Sequence, residues 1–544
     1  MAEWNYADVW EAIAETVPDA VAQVHGTRRF TWGELDRRAD GIATALLEAA
    51  GAQHGDKVAN YLFNAPEYLE TMFGALKAGL VPVNTNYRYG PEELAYLWND
   101  SDAIAIAFHG CFAERVDAVR VRTPNVRMWL HVDDGSGPCP DWATPYEDAA
   151  GAARTRTRAP WDRSADDLVF LYTGGTTGMP KGVMWRQGDL YAHANAGTPL
   201  DPEEQDLAHV RRRAARGGVA LMPASPLMHG TGMTMGMAGL RVAGTVVLLE
   251  TRSFDARECL DTIERERVYG VAIVGDAFAR PMLDALRAEP GRWDLTHVHL
   301  VTSAGVMWSE PVKQGLLEHL ANASLSDGFA SSEAFGMGGS VSSRNDGVRA
   351  TGQFTLGDAA RVVDEDGNDV EPGSGVAGLV AVGGPQPLGY YKDPEKSGKT
   401  FRVIDGKRYS IPGDWATVDA DGTLRLLGRG SVCINTGGEK VFPEEVEEAL
   451  KTHPAVRDAI VVGVPDERFG EAICAVAELN GTDDDVEPGA LIAHVKTRLA
   501  SFKAPRHVLI VDSVGRAPNG KADYPRVKRD ASAAIIGVKN LGKH

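Results

Sequence analysis

The stretch LVFLYTGGTTGMPKG, running from Leu168 to Gly182, decides how this chain is read. Leu168–Thr173 is a continuous apolar and aromatic run, the pattern of a buried strand. Directly after it, Gly174, Gly175 and Gly178 let the backbone turn tightly and bring amide N–H groups close to an anion. Thr173, Thr176 and Thr177 add hydroxyl donors and Lys181 adds a positive charge, a combination suited to a polyphosphate. A Walker A loop requires Gly immediately before its Lys and Ser or Thr after it. Here Pro180 precedes Lys181 and Gly182 follows, which disfavours a P-loop NTPase. The plain alternative is a Gly- and Thr-rich surface loop that binds nothing.

Working outward, Asp56–Leu62 (DKVANYL) reads as a strand, APEYLETMFGALKAG as an amphipathic helix ended by Gly79, and LVPVNTN as the next strand. This alternation predicts an α/β layered fold with a largely parallel sheet. Ala152–Asp167 is a polar, Arg-rich connection. Gly357–Leu427 carries the turn pairs Asp366-Gly367, Pro372-Gly373, Asp405-Gly406 and Asp421-Gly422 and predicts β structure. The composition breaks at Gly428-Arg429-Gly430-Ser431, giving a large domain over 1–429 and a small α+β unit over 430–544. In the small unit Pro443 opens a helix whose first turns hold Glu444, Glu445, Glu447 and Glu448, and AIVVGV and AICAVAEL read as strands.

With 544 residues the chain exceeds one compact domain. The 56 basic and 75 acidic side chains leave a net charge of −19, without the global field of a nucleic-acid binder. The five cysteines are scattered, with no CxxC pair or zinc-like spacing, as expected of reduced thiols in the cytoplasm. No signal peptide or transmembrane run is present, so a cytoplasmic enzyme is expected, with peripheral contact to a lipid-held substrate left open.

YTGGTTGMPKG resembles the AMP-binding signature of the adenylate-forming superfamily, which includes acyl-CoA synthetases, firefly luciferase and peptide-synthetase adenylation domains. The resemblance covers nearly the whole chain, from Phe30-Thr31-Trp32-Gly33-Glu34-Leu35 through Lys77–Asn84 to Gly520-Lys521. GVMWR, GDAFARP, IPGD and GRGSVCINTGGEKVFPEEVE are similar to actinobacterial fatty-acid and steroid-side-chain acyl-CoA ligases. It implies the adenylate-forming enzyme fold: a large N-terminal domain of layered sheets and helices, and a small mobile C-terminal domain turning at Gly430-Ser431. The family is commonly oligomeric, and the residues here do not decide that.

By the same resemblance Lys521, Glu333, His229 and Thr176 form the catalytic set. Thr173–Gly178 and Lys181 would grip the phosphates of ATP, Gly305 would line the adenine, and Phe329 would stack on it. Ser332 would contact the α-phosphate and Glu333 would hold Mg²⁺, a hard cation that prefers oxygen ligands. Phe329, Ala330 and Ser332 stand where the family usually has Tyr, Gly and Thr, with stacking and hydroxyl chemistry kept. Asp414 would accept the ribose hydroxyls, Arg429 would reach ribose or phosphate, and Lys521 would bridge carboxylate and α-phosphate. His229, Gly232, Met233, Met237 and Gly336 would form the acyl pocket. Gly437 and Gly438 would line a tunnel for coenzyme A, while Lys440 meets a phosphate or merely sits in a hairpin turn. Arg211, Arg212, Arg213 and Arg216 read as a solvated run rather than a membrane or CoA contact.

The implied reaction activates a carboxylic acid with ATP as an acyl-adenylate and passes the acyl group to CoA. Transfer to a carrier-protein thiol and a non-catalytic nucleotide-binding homologue are the alternatives. Chain length stays open.

Overall fold

The structure is a computed structural model that describes residues 5–173, 179–195, 207–436, 439–466, 469–481, 486–517 and 520–541. Three sheets carry the described chain. In the first, Lys57–Tyr61, Val81–Asn84, Ala103–His109 and Met128–Val132 run parallel. Every residue of Ala103–His109 is buried, which explains its unbroken apolar sequence. Leu168–Thr173 joins parallel to Val81–Asn84 and pairs antiparallel with Lys181–Arg186, with Thr173 opposite Lys181.

The second sheet has a parallel half and an antiparallel half. Val21–His25, Thr245–Leu248, Ala220–Pro223, Gly270–Ile273, Leu300–Ala304 and Ser324–Ser331 run parallel. From Ala334–Ser342 onward, Gln353–Leu356, Thr423–Arg429 and Asp414–Val418 continue antiparallel, and they include the Gly- and Asp-rich stretch expected to be β. The third sheet is five-stranded, built from the residues after Gly430. Its core of Val446, Leu450, Val461 and Leu491 is its own.

The helix signals hold. Thr31 caps Trp32–Thr44 and forms a capping box with Glu34. Pro66–Lys77 opens on proline and is followed by Gly79 at φ +66. Pro443–Lys451 likewise opens on proline. Lys77 closes its helix fully buried, with Nζ 2.6 Å from Asp36, 2.8 Å from Asp40 and 3.3 Å from Glu11. The Arg-rich connection serves the same acidic helices: Arg163 meets Asp8 at 2.6 Å and Glu11 at 2.8 Å, and Arg156 meets Asp36 at 2.9 Å. Those arginines are therefore structural counter-charges. Burial pushes the Glu11 carboxyl up, but Arg163, Lys77 and Arg156 outweigh it and hold it at about 2.

The carboxyl ends of the parallel strands in both large sheets converge on one cavity of about 940 Å³. Asn84 and Thr173 reach it from one sheet, and Ala304, Gly305 and Ser331 from the other. Ligand crevices in α/β sheets open at such strand ends. Among the described residues no helix is long and apolar enough to cross a membrane.

Candidate functional site

The strands on either side of the Gly- and Thr-rich loop, Leu168–Thr173 and Lys181–Arg186, pair with each other. Thr173 lines the cavity on one side of it. Lys181 begins the returning strand, its ammonium paired with Asp393. A P-loop leads into a helix, so the topology bears out the reading taken from Pro180-Lys181-Gly182. Gly174, Gly175, Thr176, Thr177 and Gly178 lie outside the described residues. Gly182 is required by contact, because a Cβ there would stand 2.7 Å from the Tyr172 ring.

One residue beside the end of strand Leu168–Thr173 carries more structure than its sequence suggested. Asn84 is buried, donates from Nδ2 to the carbonyls of Tyr172 (2.9 Å) and Met228 (2.7 Å), and accepts from the Tyr172 amide (2.6 Å). It ties the strand that ends in the phosphate loop to the turn that presents His229. The one available signal was a polar residue ending the apolar run Val81–Asn84.

Across the cavity four charged side chains gather from both domains. Lys521 follows Gly520, whose φ is +73 and whose missing Cβ would stand 2.8 Å from the Ala277 Cβ. That close approach seats the small domain on the large one. Pro518 and Asn519, before it, lie outside the described residues. Gly305, at φ +90, would place a Cβ 3.9 Å from Lys521 Cε. Asp414 and Arg429 face each other on paired strands, with Nε donating to Oδ1 at 3.1 Å. Glu333 accepts from the Tyr390 hydroxyl at 2.8 Å, and its carbonyl accepts from Ser410 at 2.7 Å. The Ser332 carbonyl accepts from Trp185 Nε1 at 2.8 Å.

These groups feel one another. Protein packing and the neighbouring Arg429 lower the Lys521 pKa, against the opposing pull of Glu333 and Asp414. Burial raises the Asp414 carboxyl despite Arg429 beside it. Asp414 raises the Arg429 guanidinium further. Burial, then Lys521 and Arg88, push His229 down to about 3, so its imidazole is neutral at neutral pH. Among the described residues no three His, Cys, Asp or Glu side chains gather as a ligand set. Glu333 still has a second carboxylate oxygen beyond the one Tyr390 holds, a hard donor that fits Mg²⁺ if phosphates and water supply the rest.

The apolar part of the cavity follows the helix Gly230–Arg241. His229, Met233, Met237 and Gly336 line it as expected. Gly232 does not: a Cβ there would lie 2.2 Å from the Pro226 carbonyl, so this glycine lets the helix sit on its own preceding turn. Gly328 and Ala330 line the cavity, and Phe329 between them is buried with its ring stacked on Phe354 at 5.4 Å.

Gly437 and Gly438 lie outside the described residues; Lys440 sits on Glu439–Val441 opposite Asn435, its side chain not described. Gly430 starts a short 3-10 turn over Gly430–Val432, and a Cβ there would meet Trp415 Nε1 at 2.7 Å. The side chain of Ser431 is likewise not described. The arginine run lies on the helix Leu207–Ala214 and is tethered: Arg211 pairs with Glu15 at 2.5 Å, and Arg213 donates to the Arg241 carbonyl.

The chain has relatives among known proteins. Residues 10–391 match the family model of AMP-binding enzymes, and residues 445–521 match that of the AMP-binding enzyme C-terminal domain. The chain is 40% identical over 534 residues to a medium/long-chain-fatty-acid–CoA/3-oxocholest-4-en-26-oate–CoA ligase of Mycolicibacterium smegmatis, covering 96% of this chain and 95% of that one. It is also 40% identical over 532 residues to a 3-oxocholest-4-en-26-oate–CoA ligase of Rhodococcus rhodochrous, covering 96% and 94%. Among solved structures it resembles ATP-bound MatB from Rhodopseudomonas palustris, with TM-score 0.79, 26% identity, and 98% and 99% of the two chains covered. Two family models over most of the chain and relatives matched over nearly the full length of both sequences lead to one assignment: the chain belongs to the AMP-binding enzyme family, among its acyl-CoA ligases.

Proposed function

We propose that this enzyme joins a medium- to long-chain or steroid-side-chain carboxylic acid to coenzyme A, with ATP cleaved to AMP and pyrophosphate. The observation that carries this reading is Lys521 of the small domain, beside Gly305 and within the fields of Arg429, Glu333 and Asp414, on a cavity that Met233 and Met237 also line. Methionines adapt to varied apolar shapes.

In the first step a carboxylate oxygen attacks the α-phosphorus of ATP in line and pyrophosphate leaves. Lys521 lies between the acid and the phosphate and neutralises the charge that develops. Asp414 accepts the ribose hydroxyls, with Arg429 orienting its carboxylate. Neutral His229 closes the channel beside the carboxylate, and Ser332 contacts the α-phosphate. Glu333 would hold Mg²⁺, which when bound offsets phosphate charge. In the second step the small domain turns near Gly430, Lys521 withdraws, and the CoA thiol attacks the mixed anhydride to release AMP. The boundary at Gly430 fits the change from the long sheet to the separate five-stranded sheet.

The test is CoA-dependent AMP formation across short, long, aromatic and sterol-side-chain acids. Turnover with long or sterol acids is expected. AMP release with a carrier-protein thiol but not with CoA would redirect the second step, and absence of acid-dependent ATP–pyrophosphate exchange would refute the enzyme reading.

A further inference from the structure

Glu444, Glu445, Glu447 and Glu448 crowd the start of the helix Pro443–Lys451, and three of them serve the small domain itself. Glu445 accepts from the Phe442 amide at 3.2 Å and pairs with Lys503. Glu447 accepts from the Val461 amide at 2.9 Å and from the Tyr524 hydroxyl at 3.0 Å. Glu448 pairs with Lys451. Glu444 turns instead to the large domain. Its carboxyl lies on Gly428, the residue before Arg429 on the strand Thr423–Arg429. A Cβ at Gly428 would stand 2.1 Å from the Glu444 Oε2 and 2.6 Å from its Cδ, and the Gly428 φ is +134, so the seat requires glycine twice over. Oε2 is buried and has no hydrogen-bond partner among the described residues. Burial, then Glu447, push this carboxyl up to about 8, while its own amide and that of Arg429 pull the other way. At neutral pH the group therefore packs mainly as an uncharged acid.

The contact crosses the domain boundary at Gly430. On the small-domain side it leads to Lys521, because Glu447 of the same helix holds Tyr524, three residues beyond Lys521. On the large-domain side it adjoins Arg429, whose Nε donates to Asp414 at 3.1 Å. A carboxyl seated this closely depends on one placement of the two domains. A turn near Gly430 lifts the helix from the strand and returns the acid to water. The contact thus favours the docked arrangement over the turned one.

We infer that Glu444 is a positioning residue: its carboxyl, seated on Gly428, holds the small domain in the arrangement that brings Lys521 to the cavity, and lets go when the domain turns for the second step. This deepens the acyl-CoA ligase reading above and rests on it.

The experiment follows two half-reactions of the full-length enzyme: tetradecanoate-dependent ATP–pyrophosphate exchange without CoA, and thioester formation from CoA and supplied tetradecanoyl-adenylate. Exchange uses the docked arrangement and thioester formation the turned one. The ratio of the two rates is therefore proportional to the equilibrium constant between the arrangements, whatever its value. Glu444→Ala should lower exchange relative to thioester formation by about 5- to 30-fold, the range of one buried polar contact. Glu444→Gln keeps the length and an acceptor oxygen and should hold the ratio within about 3-fold of the wild type. A merely structural glutamate would lower both half-reactions alike. Gly428→Ala pushes a methyl group into the same seat and should lower the ratio too. Its backbone strain is the same with or without Glu444, so in the Glu444→Ala background its further effect should shrink to less than about 3-fold. An unchanged ratio in Glu444→Ala, a ratio as low in Glu444→Gln as in Glu444→Ala, or fully multiplicative effects of Glu444→Ala and Gly428→Ala would each overturn the inference and leave the ligase reading standing. Should Glu444→Ala not fold, an unchanged ratio in Gly428→Ala overturns it as well. No acid-dependent exchange by the wild type would sink the ligase reading and this inference with it.

Discussion

On the proposed mechanism, Lys521→Ala should separate the two half-reactions. In the structure the ammonium reaches into the shared cavity from the small domain, beside Gly305 and within the fields of Arg429, Glu333 and Asp414. Removing it takes away a preorganised cation aimed at charge that grows only in the transition state, a loss of about 10²–10³ in rate, or about 3–4 kcal/mol. The substitution removes both the repulsion from Arg429 and the attraction of Glu333 and Asp414, so the unfolding midpoint is measured alongside the two half-reactions. Pyrophosphate exchange should therefore fall by two to three orders of magnitude, while thioester formation from a supplied acyl-adenylate changes by less than about 3-fold. The pH profile gives an independent check. The Lys521 pKa lies below its ordinary value, so the protonated form, and with it adenylation, is lost as pH rises through that lowered pKa. Lys521→Arg keeps its charge across the range and should move the alkaline limb to higher pH at reduced rate. Equal loss of both half-reactions in Lys521→Ala, or an alkaline limb unmoved in Lys521→Arg, would refute the assignment.

Other consequences are as direct. Asn84→Ala leaves the Tyr172 amide and two carbonyls without their partner and should cost about 1–3 kcal/mol of stability by denaturant unfolding, with kcat/KM falling alongside. Lys77→Met takes from buried Asp40 its cationic partner, while Asp36 and Glu11 keep Arg156 and Arg163, and should destabilise by about 3–5 kcal/mol. Glu11 is held at about 2 in the fold against an ordinary 4.5, so its contribution is complete above pH 4.5 and is lost as pH falls toward 2. Lys77→Met should shrink that acid-dependent loss in an unfolding series. Gly305→Ala forces a side chain onto φ +90 and should lower adenylation, with roughly 1–2 kcal/mol of strain measurable as a fall in Tm. His229, near 3, should leave no acid limb around pH 6–7 in kcat/KM; in Lys521→Ala, freed of one nearby cation, its pKa should rise.

The sequence announced the architecture through periodicity and turns. Leu168–Thr173, Val81–Asn84 and Pro66–Lys77 follow from apolar runs, a proline start and a terminal glycine, all local signals. The assembly of Lys521, Asp414 and Arg429 was legible only through motif order, since no local rule brings such distant residues together. One expectation failed for a reason that spacing cannot show. Gly232 sits between residues that do face the cavity, and the rotation of the helix turned it onto the Pro226 carbonyl. Asn84 went unread for the opposite reason: an amide ending a strand is ordinary until tertiary packing buries it.

The short segment around Tyr390 joins two parts of the site. Strand Gly389–Tyr390 pairs with the strand Lys181–Arg186 that closes the phosphate loop. From it Tyr390 holds Glu333, and three residues on Asp393 holds Lys181. A triphosphate that draws Lys181 away from Asp393 thus pulls on the same rung that fixes the carboxylate offered to a divalent ion. Occupancy at one position should alter affinity at the other, and the effect must be equal in both directions. Nucleotide titrated with and without Mg²⁺ should display that heterotropic linkage, and Tyr390→Phe should weaken it while leaving both groups in place.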